Sequence, residues 1–382
     1  MGSFRSNTKY LKSNFLSSHQ DSFMNRENDL SNVTTRYSHN PILDCHAVNK
    51  VWKEPHLKVM TVHNAGVTIF EKQVVMLFRS HLRNGVSVIG IARSKDGLTG
   101  WEVGDGPVLK SCNEDDLFAD GFDIEKQIES EAGGVEDPRI SKIDNTYLIT
   151  YSAYHGTIKN QVRVSLVSTQ DFKTFLRYGP VLKQDMRNVV IFPEKINNRF
   201  LGLFRPNDSL PGDLGGRFQE ILLGSSEDWR SGKWNIEDPP IIKQLGGPSS
   251  FSDKIGPGAT PIRTSHGWIN IFHGVRNTMG GNPYVLGVAL HELDNPKKVV
   301  ISNIPILFPT SADCRVGEED YVHVPNVVFC CGAIRKEDGS ILIYYGGNDT
   351  VMNVCFTHED VLAQLCLRYP QNPETGRAEY SI

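Results

Sequence analysis

The sequence predicts an all-β protein, a five-bladed β-propeller with an N-terminal extension and a short C-terminal helix. Two observations lead to this prediction. Short strands separated by turns fill the chain from about residue 60 to about residue 350, and one strand–turn–strand pattern recurs in that region five times. Because a propeller repeats one small sheet around a central channel, five copies predict five blades.

Each copy of the repeat is an apolar strand, a short polar turn, and a second strand that ends in an aromatic residue and a polar group. The copies span residues 65–79, 137–154, 191–206, 258–274 and 331–347. The aromatic ends are Phe78, Tyr151, Phe204, Phe272 and Tyr344. A further piece follows the first four hairpins, at residues 92–103, 168–178, 225–236 and 290–300, and would supply the outer strands of each blade.

The two ends of the chain differ from this pattern. Residues 1–50 are polar and predict an extended arm, with the propeller domain covering residues 51–382. Helical spacing of apolar residues occurs at 357–368, where Thr357 is the expected N-cap. The acidic stretch 112–131 is expected to be a long loop.

Composition excludes several functional classes. The net charge is -4, so the chain has no basic field for nucleic acid or an anionic membrane. No apolar run is long enough for a transmembrane helix, and the N-terminal residues lack the apolar core of a signal peptide. Seven cysteines without a Cys-x-x-Cys pair argue against a disulfide framework and a zinc site. We therefore expect a cytoplasmic protein without a metal ion, and the polar arm is compatible with a homo-oligomer.

The stretch Gly-Gly-Val-Glu-Asp-Pro-Arg, residues 133–139, contains the strongest candidate for catalysis. An alternating strand with an Asp-Asn turn follows it, so Asp137 is expected at the mouth of a hairpin. A carboxyl group held there can protonate a leaving group. The alternative is a turn aspartate paired with Arg139.

Polar residues recur where the predicted hairpins start and end. They are Asn64, Arg79, Asp137, Lys195, Arg205, His273, Tyr345 and Asp349. If the repeat is right, several cations converge on one carboxyl group at one mouth of the channel. Inverting hydrolysis needs a second carboxylate to activate water, whereas phosphate is itself a nucleophile that arginine, lysine and histidine can hold. The set therefore favours phosphorolysis.

The chain also resembles glycoside hydrolase family 130, the β-mannoside phosphorylases, over roughly residues 40–365. The matching stretches, in order, are Asn-Ala-Gly at 64–66, Ala-Arg-Ser-Lys-Asp-Gly at 92–97, Gly-Val-Glu-Asp-Pro-Arg at 134–139, Phe-Pro-Glu-Lys-Ile-Asn at 192–197, Lys-Ile-Gly at 254–256, His-Gly-Val at 273–275, Pro-Asn-Val-Val-Phe at 325–329 and Tyr-Tyr-Gly at 344–346. The chain departs from the family pattern at Arg187-Asn188 and at His323.

The resemblance implies a five-bladed propeller and a role for each candidate residue. It implies that Asp137 is the general acid and that Lys195, Arg205, His273 and Tyr345 hold phosphate. It places Asn64, Arg79 and Asp349 in the mannosyl subsite, and Arg139 beside them, where orienting Asp137 is favoured over contacting substrate. The implied reaction uses inorganic phosphate as co-substrate, without another cofactor, to convert a β-mannoside, β-1,4-linked by expectation, into α-mannose 1-phosphate.

Two alternatives remain at this stage. One is a β-mannosidase on the same propeller, which would need acidic residues in place of the phosphate ligands. The other is a sugar-binding propeller without catalysis, which would have little use for an acid facing cations.

Overall fold

A computed structural model describes residues 32–159, 161–206, 219–246 and 248–372 of the protein. Five sheets of four or five strands account for nearly all regular structure, and their pairing is antiparallel except for one short parallel pair in the second blade. The first strands of neighbouring sheets pack against one another around a central channel, as β2 (His63–Phe70) does against β7 (Gly134–Ile143) and β20 (Val328–Arg335). The five-bladed propeller predicted from the sequence is confirmed.

The chain passes through the blades in order. It starts with β1 (Thr35–Arg36) and helix α1 (Cys45–Val51). The first blade begins with β2 and continues with β3 (Gln73–His81), β4 (Ser87–Ser94) and β5 (Glu102–Val103). Those of the second blade are β6 (Leu117–Phe118), β8 (Thr146–Tyr154), β9 (Val162–Thr169) and β10 (Leu176–Pro180), with helix α2 (Ile124–Glu131) between β6 and β7.

The last three blades follow the same plan. The third contains β11 (Met186–Ile191), β12 (Phe200–Pro206), β13 (Leu222–Ser226) and β14 (Asn235–Ile236). The fourth contains β15 (Lys254–Pro257), β16 (Ile262–Arg263), β17 (Trp268–Val275), β18 (Tyr284–His291) and β19 (Val299–Ile301). The fifth adds β21 (Ser340–Gly347) and β22 (Val351–His358) to β20, and helix α3 (Glu359–Arg368) follows. None of the helices in these ranges is long and apolar enough to cross a membrane.

The core of the protein lies between the blades. Five clusters of buried apolar side chains fill the five interfaces between neighbouring blades. The aromatic residues Phe78, Tyr151, Phe204 and Phe272 lie in four of these interfaces and are at most 1% exposed. The strand-end aromatics of the repeat are therefore the packing units that hold one blade against the next.

The fifth blade is completed by the N-terminal end of the described chain. β1 pairs with β22 as its outermost strand, so residues 35 and 36 belong to the propeller and not to a separate arm that ends at residue 50. Residues 1–31 of the predicted arm lie outside the described residues. Arg36 secures this strand because its guanidinium donates to Asp313 at 2.6 and 2.8 Å, while the hydroxyl of Tyr345 donates to the same carboxylate at 2.7 Å.

Two helix predictions need correction. The C-terminal helix exists, but it begins at Glu359, because Thr357 still belongs to β22 and its hydroxyl donates to the carbonyl of Val33. His358 is the N-cap, accepting from the backbone of Asp360. The acidic stretch before the second blade contains helix α2, which the sequence pattern did not predict.

We predict that closure of the ring depends on the Arg36–Asp313 pair. Replacing Arg36 with leucine leaves the fully buried Asp313 carboxylate without its cation, and the free energy of unfolding should fall by roughly 2–4 kcal/mol. Urea unfolding followed by tryptophan fluorescence measures this change. Arg199→Leu, which breaks the exposed pair with Glu227, is the control and should cost less than about 1 kcal/mol. Equal effects of the two substitutions would contradict the closing role.

Candidate active site

A cavity of about 230 Å³ lies at the end of the channel where the inner strands begin, and residues of all five blades line it. The predicted acid Asp137 is among them. The full lining is Asn64, Arg79, Glu136, Asp137, Ser152, Tyr154, Arg187, Asn188, Arg205, Lys254, His273, Tyr284, Val324, Val327, Phe329 and Asp349. Larger surface grooves lie on the outer strands of the blades, away from this convergence of charged groups.

Three inner strands turn a polar residue into the cavity by a break in their pairing. The register of β2, β7 and β11 shifts next to Asn64, Asp137 and Asn188. All three residues have left-handed backbones, with φ of 48°, 51° and 55°. Asparagine and aspartate tolerate this conformation better than other non-glycine residues. The bulges therefore explain why Asn or Asp occupies these positions and how the side chains reach the channel.

The second strand of each blade contributes the residue that follows its interface aromatic. In the first four blades this residue is Arg79, Ser152, Arg205 and His273, and each lines the cavity. In the fifth blade it is Gly346, where a Cβ atom would lie 2.4 Å from Oδ1 of Asn64. Glycine is needed there because the blade approaches the Asn64 side chain closely.

One side of the cavity gathers three carboxyl groups around one arginine. Arg79 donates through Nη1 to Asp137 at 3.0 Å and through Nη2 to Glu136 at 2.6 Å. The side-chain amide of Asn64 donates to Asp137 at 3.0 Å and to Asp349 at 3.3 Å, and so joins these two carboxyl groups. Ionising all three carboxyl groups beside a single guanidinium is unfavourable in free energy, so this side of the cavity has an increased affinity for a proton.

The three carboxyl groups have different proton affinities. Burial raises the pKa of Asp349 to about 6, with Asp137 and Glu136 adding to the rise against Arg79 and Asn64. Burial and the charge of Asp137 also raise the pKa of Glu136. Burial opposes ionisation of Asp137 too, but Arg79, Arg139 and the hydrogen bond from Asn64 outweigh it and lower its pKa. In the empty site the proton therefore resides on Asp349 or Glu136 before Asp137.

The third and fourth blades bring cations to the cavity wall. Arg187, Arg205 and Lys254 line the cavity there, and together they form its cationic wall. Lys254 Nζ lies 5.4 Å from the ring centre of Tyr284. Burial, together with Arg205, Arg139 and Lys254, holds the pKa of His273 well below its usual range, so this imidazole is a neutral hydrogen-bonding group. A small cavity with three cations on one wall suits a multiply charged anion.

Glycine also shapes the cationic wall. A Cβ atom at Gly256 would lie 2.6 Å from the His273 ring and 2.8 Å from Cδ of Arg205. Any side chain at this position would displace one of these groups. The absence of a side chain at residue 256 therefore allows the arginine and the imidazole to stand side by side.

The structure brings six of the nine predicted site residues to the cavity wall: Asn64, Arg79, Asp137, Arg205, His273 and Asp349. Arg139 lies immediately behind that wall. Its guanidinium donates to the backbone carbonyls of Asp137 and Gly258 and to the side chain of Asn188, at 2.8–3.1 Å. Of the two roles considered for Arg139, these contacts fit the favoured one, in which Arg139 positions Asp137, and not a contact with substrate.

Lys195 lies outside the cavity. Inner strand β11 begins at Met186, so Lys195 falls in the turn that joins β11 to β12, at the opposite end of the blade from the cavity. There it is exposed, and its Nζ lies 4.6 Å from the ring centre of Phe200. The predicted phosphate contact of Lys195 is corrected here. The hairpin begins at Met186, whereas the sequence pattern placed its start at residue 191.

Tyr345 also lies outside the cavity. It is fully buried in the interface between the fourth and fifth blades, and its hydroxyl donates to Asp313. It therefore occupies the position of the interface aromatic, which the sequence pattern had given to its neighbour Tyr344. The predicted phosphate contact of Tyr345 is therefore corrected. The repeat pattern was one residue out of register in this blade, and successive side chains of a strand point to opposite faces.

The cavity residues that were missed as site candidates include Glu136, Arg187, Lys254 and Tyr284. Glu136, Arg187 and Lys254 lie near the starts of inner strands β7, β11 and β15. Tyr284 begins β18, directly after the loop from β17. Charged residues at the start of an inner strand were the available signal, but the predicted hairpins begin further along the chain, at residues 137, 191 and 258.

Comparisons with known proteins show what the chain is similar to. The glycoside hydrolase 130 family model, described as β-1,4-mannooligosaccharide phosphorylase, matches residues 31–368. A 1,2-β-oligomannan phosphorylase of Thermoanaerobacter sp. is 33% identical over 70% of this chain and 78% of its own length. A β-1,4-mannooligosaccharide phosphorylase of Ruminococcus albus is 27% identical over 87% of this chain and 90% of its own. The structure of a Listeria innocua β-1,2-mannobiose phosphorylase superposes with a TM-score of 0.71 and 26% identity, covering 87% of this chain and 99% of that chain.

We predict that Asp349 makes stability fall as pH rises. Its folded-state pKa of about 6 exceeds the unfolded value of about 3.9, so the folded state binds more protons between these pH values and loses that advantage above them. The change that Asp349→Asn causes in the free energy of unfolding should therefore be more stabilising at pH 8 than at pH 4.5, by roughly 1–3 kcal/mol. Urea unfolding at the two pH values measures the difference.

The control for this prediction is Asp144→Asn, a substitution in the exposed turn between β7 and β8. It should change stability by the same small amount at both pH values. A pH-independent effect of Asp349→Asn would show that Asp349 does not hold the proton.

Proposed function

The chain belongs to glycoside hydrolase family 130 and is an enzyme of the mannoside phosphorylase type, and we propose that it cleaves a β-mannoside with inorganic phosphate and inverts the anomeric carbon. The observation that supports phosphorolysis most directly is the division of charge in the cavity. Three carboxyl groups gather around Arg79, and the cationic wall adds Arg187, Arg205 and Lys254 from the third and fourth blades.

Each side of the cavity has its own part in the proposed reaction. Hydrogen phosphate on the cationic wall attacks the anomeric carbon, and the bond from that carbon to the leaving oxygen breaks. Asp137 gives its proton to the leaving oxygen, which departs as a hydroxyl group. The bound sugar phosphate later releases the proton of hydrogen phosphate, which balances the proton that the acid supplied. Asn64 and Asp349 would hold the hydroxyl groups of the mannosyl ring.

Phosphate itself would help to load the acid. Asp137 has a lowered pKa in the empty site, which is unsuitable for a proton donor. A phosphate dianion a few ångströms away disfavours a second negative charge and raises the pKa of nearby carboxyl groups. Exclusion of water by the sugar strengthens the same effect. Protonated Asp137 is therefore expected in the complex with both substrates.

Hydrolysis is less compatible with this arrangement. An inverting hydrolase needs a carboxylate about 6.5–9.5 Å from its acid to activate water on the opposite face of the sugar. In this cavity the opposite face meets Arg187, Arg205 and Lys254, which would bind an anion rather than take a proton from water.

For the linkage we propose β-1,2, in place of the β-1,4 bond expected from the sequence. The supporting observation is that the relatives 33% identical to this chain are named for β-1,2-mannosides, whereas those at 27% are named for β-1,4 bonds. The test of function therefore uses both β-1,2-mannobiose and β-1,4-mannobiose.

We predict that wild-type protein releases mannose 1-phosphate from one of these disaccharides only when phosphate is present. Asp137→Asn should lower kcat by about 10²–10⁴-fold, because it removes the proton donor while leaving sugar binding largely intact. Asp144→Asn, in the turn of the same hairpin, should keep full activity. Free mannose made equally well without phosphate would identify a hydrolase, and sugar binding without turnover would identify a lectin.

We also predict that Arg205 and Lys195 respond differently to substitution. Arg205→Gln should raise KM for phosphate at least 10-fold, since a charge-assisted bond to phosphate contributes more than 1 kcal/mol. Lys195→Gln should leave KM for phosphate within about twofold of the wild-type value, because Lys195 is exposed at the far end of its blade. Initial rates over a range of phosphate concentrations measure both constants. A larger effect at Lys195 would refute the assignment of the cationic wall.

A further inference from the structure

The charge division of the cavity also defines where the leaving sugar must lie, if the proposed phosphorolysis is right. In an inverting displacement the nucleophile and the leaving oxygen stand on opposite faces of the anomeric carbon. The cationic wall belongs to the third and fourth blades, through Arg187, Arg205 and Lys254. The leaving sugar therefore extends over the acidic side, toward the first and fifth blades.

The segment of residues 317–327 stands on that side of the cavity mouth. It leads from the fourth blade into β20, and Val324 and Val327 form part of the cavity wall. Two hydrogen bonds fix the segment to the turn that contains Asp349, from the backbone of His323 to the Thr350 hydroxyl and from the backbone of Val324 to the carbonyl of Asn348, both 3.0 Å. The segment is thus anchored beside the mannosyl subsite.

Tyr321 is an exposed aromatic residue on this anchored segment. It is 46% exposed, although the neighbouring His323 is half-buried. A large apolar ring left in solvent on a segment that forms part of the cavity wall is a feature that a ligand would explain, because tyrosine combines an apolar face with a hydroxyl group and loses little entropy when it makes contact.

Tyr321 is connected to the acid through consecutive contacts. Its hydroxyl lies 2.7 Å from Nδ1 of His323, and the rings of His323 and His81 pack edge to face with centres 4.4 Å apart. His81 Nε2 in turn lies 2.8 Å from Nη2 of Arg79, and Arg79 donates to Asp137. The exposed ring is therefore held in a defined position relative to the proton donor.

We propose that Tyr321 and His323 form the acceptor subsite, which holds the leaving sugar during phosphorolysis and the attacking sugar in the reverse reaction. The ring of Tyr321 packs against the apolar face of a pyranose. The imidazole of His323 supplies a hydrogen bond to the sugar hydroxyl groups, and the tyrosine hydroxyl contacts that imidazole. The ligand class is a neutral hexopyranose, and the inference rests on the proposed phosphorylase activity.

The reverse reaction tests this subsite, because it gives the acceptor its own KM. With α-mannose 1-phosphate as donor and mannose as acceptor, Tyr321→Ala should raise KM for mannose at least 10-fold. KM for α-mannose 1-phosphate should stay within about twofold of wild type, since the donor occupies the other subsite. Tyr321→Phe keeps the ring and should raise KM for mannose less than about threefold. Circular dichroism and thermal unfolding of each variant confirm that it is folded.

Met279 provides a matched control on the same face of the propeller. It is fully exposed in the loop between β17 and β18 of the fourth blade, on the side of the cationic wall. Met279→Ala should leave both KM values unchanged. If Tyr321→Ala also left KM for mannose unchanged, the acceptor subsite would be overturned while the phosphorylase remained. A wild-type protein inactive in both directions would overturn the proposed function and the subsite with it.

Discussion

The site depends first on the guanidinium of Arg139, which joins three blades at the centre of the propeller. Its hydrogen bonds reach Asp137 in the second blade, Asn188 in the third and Gly258 in the fourth. The ring of Phe329 from the fifth blade lies 5.7 Å from the charge. Removing this group would leave two left-handed residues, each held against its backbone preference, without the partner that fixes them. The position of the acid is thus determined by contacts between blades and not by its own strand.

The charged groups at this centre destabilise the folded protein. Three carboxyl groups share Arg79, and three cations face them across 230 Å³ of cavity. Like charges on each wall repel, and burial weakens their solvation. A folded protein tolerates this arrangement because the five apolar interfaces between the blades provide the stabilisation elsewhere. Phosphate and sugar would relieve it, since an anion neutralises one wall and a proton the other. We therefore expect the two proposed substrates to favour each other's binding.

The sequence was most informative where the signal was local. The recurring aromatic and polar pair predicted the five blades, and it correctly located Arg79, Arg205 and His273, because alternation along one strand decides which residue packs and which faces the channel. In the fifth blade two adjacent tyrosines fit the pattern equally well, and tertiary contacts distinguish them. Tyr345 packs against the fourth blade and donates to Asp313, whereas Tyr344 donates to the carbonyl of Gly97 in the first blade. Helix α2 lacked a sequence signal because its anchor is tertiary: Glu131 is buried against Tyr151 and Arg177, at 2.8 Å from each.

Closure of the ring and geometry of the site are linked through the fifth blade. β1 and Arg36 hold Asp313, whose backbone carbonyl accepts from Asn353 on β22. β22 begins directly after the turn that contains Asp349, and the segment that follows Asp313 runs past this turn into the cavity wall. Asp349 belongs to the last blade and Asp137 to the second, so only a closed ring fixes the distance between them. The pairing of the chain's first described strand with its last is therefore part of how the two carboxyl groups come to share Asn64.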